Sequence, residues 1–146
     1  MFPQLSIAAN IFVNREETKG RWMLDKRAMR KETEAVLEQM GVWLDPARKV
    51  GTLPVGEKQI VEIARTLQQR SRIIIMDEPN SALNANESER LFELLRRLRD
   101  QGITIIYVSH RLEEVFAISD SISVIRDGKY QGTWAIPETT IPKIIS

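Results

Sequence analysis

Apolar positions in the first half of the chain recur at helical spacing, whereas in the second half they close up into unbroken β-branched runs. Over 26–40, Met29, Thr33, Val36, Leu37 and Met40 share one face; Asp25 stands at the N-cap position and Gly41 where a helix stops. A helix is therefore predicted there. The stretch 6–13 predicts one or two helical turns, 15–23 a polar loop, and 42–56 a connection punctuated by Pro46, Gly51, Pro54 and Gly56. Ile60, Ile63, Ala64 and Leu67 mark a further helix over 57–69. "RIIIM" (72–76) and "ITIIYV" (103–108) are continuous runs that suit strands covered on both faces of a parallel sheet. Between them Leu91, Leu94, Leu95 and Leu98 form the stripe of an amphipathic helix closed by Gly102, giving a strand–helix–strand crossover. A helix over 111–118 follows. Asp127-Gly128 between alternating apolar residues then predicts a hairpin over 121–134, and 137–146 predicts a short helix or tail.

The organisation that emerges is a helical part over 1–70 followed by an α/β half-sheet over 71–146. Composition changes this picture little. The 146 residues are enough for one core, and 42% hydrophobic with 28% charged residues is ordinary for a soluble globular chain. A net charge of +1 argues neither for nor against nucleic acid or an anionic membrane; with no basic stripe in the sequence, no nucleic-acid partner is expected. The absence of cysteine excludes disulfides and thiolate metal sites, and one histidine excludes a multi-histidine centre. No apolar run is long enough to span a bilayer, and no secretory leader opens the chain. The expectation is a cytoplasmic protein without direct membrane insertion, meeting a membrane only through a partner.

The candidate chemistry lies at the ends of the two runs. In open α/β sheets ligands bind beyond the carboxyl ends of the strands, and there the first run delivers Asp77 and Glu78, with Pro79 fixing the exit. Adjacent acids at a strand tip point in different directions, so one can hold Mg²⁺ through water while the other orients or deprotonates an attacking water. The bland alternative is an acidic, solvated turn. The second run ends in Ser109 and His110 at the same edge, where a neutral imidazole can bond a phosphate oxygen. Alone, such a histidine is a cap or a surface residue; its place beside the acids is what singles it out.

Three co-linear segments resemble the ATP-binding cassette (ABC) ATPases. "IIIMDEPNSALN" resembles their Walker B strand, catalytic glutamate and D-loop, and "VSHRLEEVFAISDSISVIRDGKY" resembles the H-loop segment and the strands after it. "LPVGEKQIVEIARTL" sits where that family has its signature motif. The texture is similar to the ATP-binding subunits of bacterial monosaccharide importers, more narrowly to the C-terminal part of the first of their two cassettes. The resemblance implies a partial P-loop NTPase fold: a helical subdomain with a degenerate signature, then a parallel-sheet half-core ending in a β-hairpin. It implies Asp77 on Mg²⁺, Glu78 on the hydrolytic water and His110 at the γ-phosphate of ATP. Ser81, Ala82, Leu83 and Asn84 would be the D-loop across a dimer interface. Leu53, Pro54, Val55, Gly56 and Glu57 would face the nucleotide of a second cassette, with helix N-terminal N–H groups aimed at the phosphates. The implied partners are that cassette and a permease in the cell membrane, with the chain peripheral at its inner face.

The departures are specific. Pro54 stands where the family has serine and offers neither hydroxyl nor N–H; Glu57 adds an acid where the family has glutamine. Asn80 replaces a common threonine and Asn84 a frequent aspartate. No G-x-x-x-x-G-K-[ST] occurs, so the phosphate cradle, the glutamine loop and the adenine-stacking aromatic are expected upstream of Met1, and a second cassette after Ser146. The chain alone is expected to be inactive and, lacking cover for one sheet face, to self-associate. The alternative reading is a non-catalytic truncated cassette acting only as an interaction module.

Overall fold

Asp25 begins the first long helix of the chain for the reason its position suggests: its Oδ1 accepts from the N–H groups of Arg27 and Ala28 at 3.1 and 3.0 Å. The computed structural model describes residues 1–13, 18–19 and 23–145. Its elements run α1 (Ile7–Ile11), β1 (Thr18–Lys19), β2 (Met23–Leu24), α2 (Lys26–Gln39), α3 (Val55–Gln68), β3 (Ile73–Asp77) and α4 (Ala85–Asp100). They continue with β4 (Thr104–Val108), α5 (Leu112–Ile118), β5 (Ser121–Arg126), β6 (Lys129–Ala135) and α6 (Ile141–Ile145). The polar loop expected over 15–23 lies partly outside the described residues; of those described, β1 and β2 pair antiparallel, a pairing that no alternation announced.

The chain forms two compact units. One comprises Met1–Ile74 and Asn80–Ile105, the other Ile75–Pro79 and Ile106–Ser146. The division differs from a single cut at residue 70, because α4 packs on α3 and joins the helices. In the first unit α1 packs on α2 and α3, and α2 on α3. Met29, Thr33, Leu37 and Met40 are buried as the α2 stripe requires, and Leu91, Leu94, Leu95 and Leu98 likewise on α4. α3 departs from its expected limits. It starts at Val55, because Pro54 has an extended ψ and a fixed φ that suit an N-cap, and it buries Val61 while Ile60 stays half-exposed.

In the second unit Val115, Ile122 and Ile144 form a small core, with Tyr107, Leu112, Phe116, Val124, Trp134 and Ile136 packed against it. β5 and β6 make the hairpin that Asp127-Gly128 predicts; both turn residues have positive φ, 52° and 72°, as a two-residue type I′ connection demands.

β3 and β4 pair with each other. Thr104 N donates to Arg72 O at 2.8 Å and Glu78 N to Val108 O at 2.9 Å, so the strands run parallel. In that register Ile75 stands beside Ile106 and Asp77 beside Val108. The unbroken apolar runs suit strands with cover on both faces, yet one face of this chain was expected to lack its cover, and the structure agrees. Ile74 and Met76 are buried, whereas Ile73, Ile75, Ile106 and Val108 are 46–69% exposed. Side chains alternate across a strand, and among the described residues nothing covers the second face.

Candidate functional site

β3 leaves its ladder at Glu78, and the backbone there is bent into the left-handed region, φ +46°. An L-residue in that region is strained by roughly 1–2 kcal/mol, and such strain gathers at functional sites. The bond from Glu78 N to Val108 O holds the bend, and Pro79, buried behind it, fixes the exit.

The bend presents the Glu78 carboxylate to the loop that follows β4. Its Oε1 accepts the backbone N–H of His110 at 3.0 Å and lies 2.6 Å from His110 Nδ1. A carboxylate only accepts, so Nδ1 carries the hydrogen and Nε2 faces away from Glu78. The pair is open to solvent: the His110 side chain is 80% exposed and that of Glu78 35%. The ring bond, with the backbone N–H and the nearby Arg111 cation adding to it, outweighs partial desolvation and holds the Glu78 carboxyl below its ordinary range. Because this folded-state value is depressed, the contact contributes stability above the unfolded value and loses it as pH falls through the folded one. The Glu78 side-chain carbon is thus expected to titrate below an ordinary glutamate in an NMR titration, and in His110→Ala to return upward. Identical titration in both proteins would remove the ring bond as the cause.

Asp77 ends β3 on the exposed face. Among the described residues no group of three metal-ligating side chains occurs. A single accessible carboxylate is nonetheless the donor set Mg²⁺ uses when waters and substrate phosphates fill its remaining positions, so Asp77 fits that ion.

The other singled-out residues lie in the first unit. Leu53 is buried and donates its N–H to Val50 O, so its side chain is packing. Pro54 is the N-cap of α3 and makes no side-chain capping bond, while Val55 and Gly56 form the first turn. Glu57 is not a bare acid. Arg48 Nη1 lies 3.0 Å from its Oε2, so a cation stands beside the extra charge at the helix N-terminus.

In the loop 81–84, Ser81 and Ala82 are exposed and Leu83 is half-buried. Asn84 caps α4 in a reciprocal box: its Oδ1 accepts from Glu87 N at 3.0 Å, and Glu87 Oε2 accepts from Asn84 N at 3.1 Å. The same Glu87 lies against Gly56, where an added Cβ would meet Glu87 Cγ at 3.3 Å. The fold therefore joins the segment 53–57 to the end of the loop 81–84, and separately joins Glu78 to His110. Asn80, 3% exposed, leaves both side-chain amide atoms without a hydrogen-bond partner. The sequence reading missed Glu114, a buried acid in α5 behind His110; only its place on the inward face of that helix could have marked it.

Among the described residues no helix is long and apolar enough to cross a membrane. The family described as ABC transporter matches residues 1–81. The chain is 48% identical over 134 residues to a ribose import ATP-binding protein, RbsA 1, of Burkholderia ambifaria, covering 90% of this chain and 26% of that protein. It is 44% identical over 146 residues to RbsA of Chromobacterium violaceum, covering 99% of this chain and 29% of that one. It thus spans 26–29% of the length of these relatives. Among solved structures, a nucleotide-free ATP-binding cassette from an ABC transporter superposes with a TM-score of 0.78 at 22% identity, over 91% of this chain and 56% of that one. A dimeric post-hydrolysis cassette bound to ADP and Pi superposes with a TM-score of 0.70 at 23% identity, over 93% of this chain and 59% of that one. These likenesses establish the fold, and with the match over 1–81 and the curated relatives they show that this chain belongs to the ABC transporter family.

Proposed function

We propose that the chain supplies the hydrolytic corner of an ATP-binding cassette that drives carbohydrate import. The observation that carries this reading is the Glu78–His110 contact: one carboxylate oxygen held by a backbone N–H and an imidazole at the carboxyl end of two parallel strands. Glu78 orients the attacking water and accepts its proton. His110, with Nε2 turned away from Glu78, meets the γ-phosphate. Asp77 would hold Mg²⁺ through water, and the ion would neutralise charge on the phosphate oxygens. The first turn of α3 and residues 81–84 face a second cassette, and the helical part over 1–70 docks on a permease at the inner face of the cell membrane. Sugar import is taken from the relatives named for it.

No phosphate-cradling G-x-x-x-x-G-K-[ST] occurs in these residues. ATP binding is therefore expected only once a P-loop-bearing segment is supplied. Equilibrium titration with a fluorescent ATP analogue tests this, and a protein with an intact P-loop that still fails to bind would overturn the reading. A second reading, a cassette kept only for docking, draws on Pro54, which leaves α3 without a side-chain cap at the place where a trans phosphate would arrive. Capture of the permease at equal strength with and without ATP would favour it.

A further inference from the structure

Glu114 is 8% exposed, and a buried carboxylate is costly unless both oxygens find partners. Both do. Tyr107 donates its hydroxyl to Oε2 at 2.9 Å, and Arg111 Nη1 pairs with Oε1. Burial, and then the bond to Glu114, push the Tyr107 phenol upward from its ordinary value, so it stays a donor across the working pH range.

The positions of these partners matter more than the bonds themselves. Tyr107 is the penultimate residue of β4 and Arg111 the last residue before α5, so one carboxylate grips the chain on both sides of His110. Inside that span Arg111 N donates to Ser109 Oγ at 3.1 Å. The His110 ring is largely solvent-exposed, so the aim of its Nδ1 and N–H depends on the backbone that carries them. We propose that Glu114 is a positioning residue: by holding Tyr107 and Arg111 it sets the loop so that the ring Nδ1 and the backbone N–H of His110 converge on one oxygen of Glu78. The catalytic meaning of this role rests on the function proposed above; the positioning itself does not.

His110 is the sole histidine, so ring-¹⁵N labelling of the full chain yields one imidazole to follow. Bonding to Glu78 places the hydrogen on Nδ1, and the ring nitrogen shifts report whether that bond is made. Tyr107→Phe and Glu114→Ala are each expected to shift the ring spectrum toward that of Glu78→Ala, and to speed exchange of the His110 amide by about tenfold. Glu114→Gln keeps an acceptor for the tyrosine and is expected to stay closer to the parent spectrum. Tyr107→Phe loses one oxygen and keeps the core, so it decides the matter if Glu114→Ala does not fold. A parent-like ring spectrum and amide exchange in folded Tyr107→Phe would overturn the proposal. A shifted spectrum with ATP turnover of the P-loop-bearing protein unchanged in His110→Ala would keep the positioning role and overturn the catalytic reading instead.

Discussion

Glu78→Gln, in a protein that unites these residues with a P-loop, is expected to lower ATP turnover by about 10²–10⁴-fold while leaving nucleotide affinity unchanged. The substitution is nearly isosteric. A glutamine oxygen still accepts the His110 N–H that Glu78 Oε1 takes at 3.0 Å, so the bend at φ +46° and the loop after β4 should persist. What disappears is the negative charge and the basicity, and with them the group that can take a proton from water. Such a loss corresponds to about 3–5 kcal/mol in the barrier. Steady-state phosphate release, read beside equilibrium ATP binding, separates the two effects. Turnover at the parent rate would show that Glu78 is not the base.

The second large effect concerns assembly. Ile75, Ile106 and Val108 stand side by side and open to water, at 69, 46 and 48% exposure. Full burial of one such side chain contributes about 1.5–3 kcal/mol, so a face of three favours association by several kcal/mol before entropy is charged against it. The chain on its own is expected to self-associate, and Ile75→Lys with Ile106→Lys to render it monomeric without loss of helix. Sedimentation velocity together with far-UV circular dichroism checks both halves. A monodisperse parent with one sharp, cooperative melt would show that the face needs no cover.

How far the sequence foretold the molecule depends on where the determining force was local. Asp25, Gly41 and Asp127-Gly128 act within a turn of themselves, and α2 and the hairpin are where they place them. The leucine stripe of α4 is equally legible, because one face had to be apolar. β3 and β4 were readable as strands, and the face left bare followed from the segments expected to cover it rather than from the runs themselves: an unbroken apolar run says what a strand can bury and not what lies against it. On α3 the expected Ile63, Ala64 and Leu67 are buried, and only the edge of the stripe differs, Val61 being buried and Ile60 half-exposed. Of the site, Asp77, Glu78 and His110 were legible as strand-end residues; the 2.6 Å contact between two of them required the parallel pairing. Glu57 looked like an unwelcome anion because Arg48, nine positions upstream, could not be seen beside it. Asn84 looked like a loop residue and is also a helix cap.

A side chain at Gly56 would crowd Glu87, whose Cγ lies 3.3 Å from where a Cβ would stand, and Glu87 is the residue that closes the cap of Asn84 at the head of α4. The first turn of α3 and the end of the loop 81–84 are therefore one corner of the molecule rather than two points of contact. One glutamate side chain serves both, lining the space beside the glycine and closing the cap.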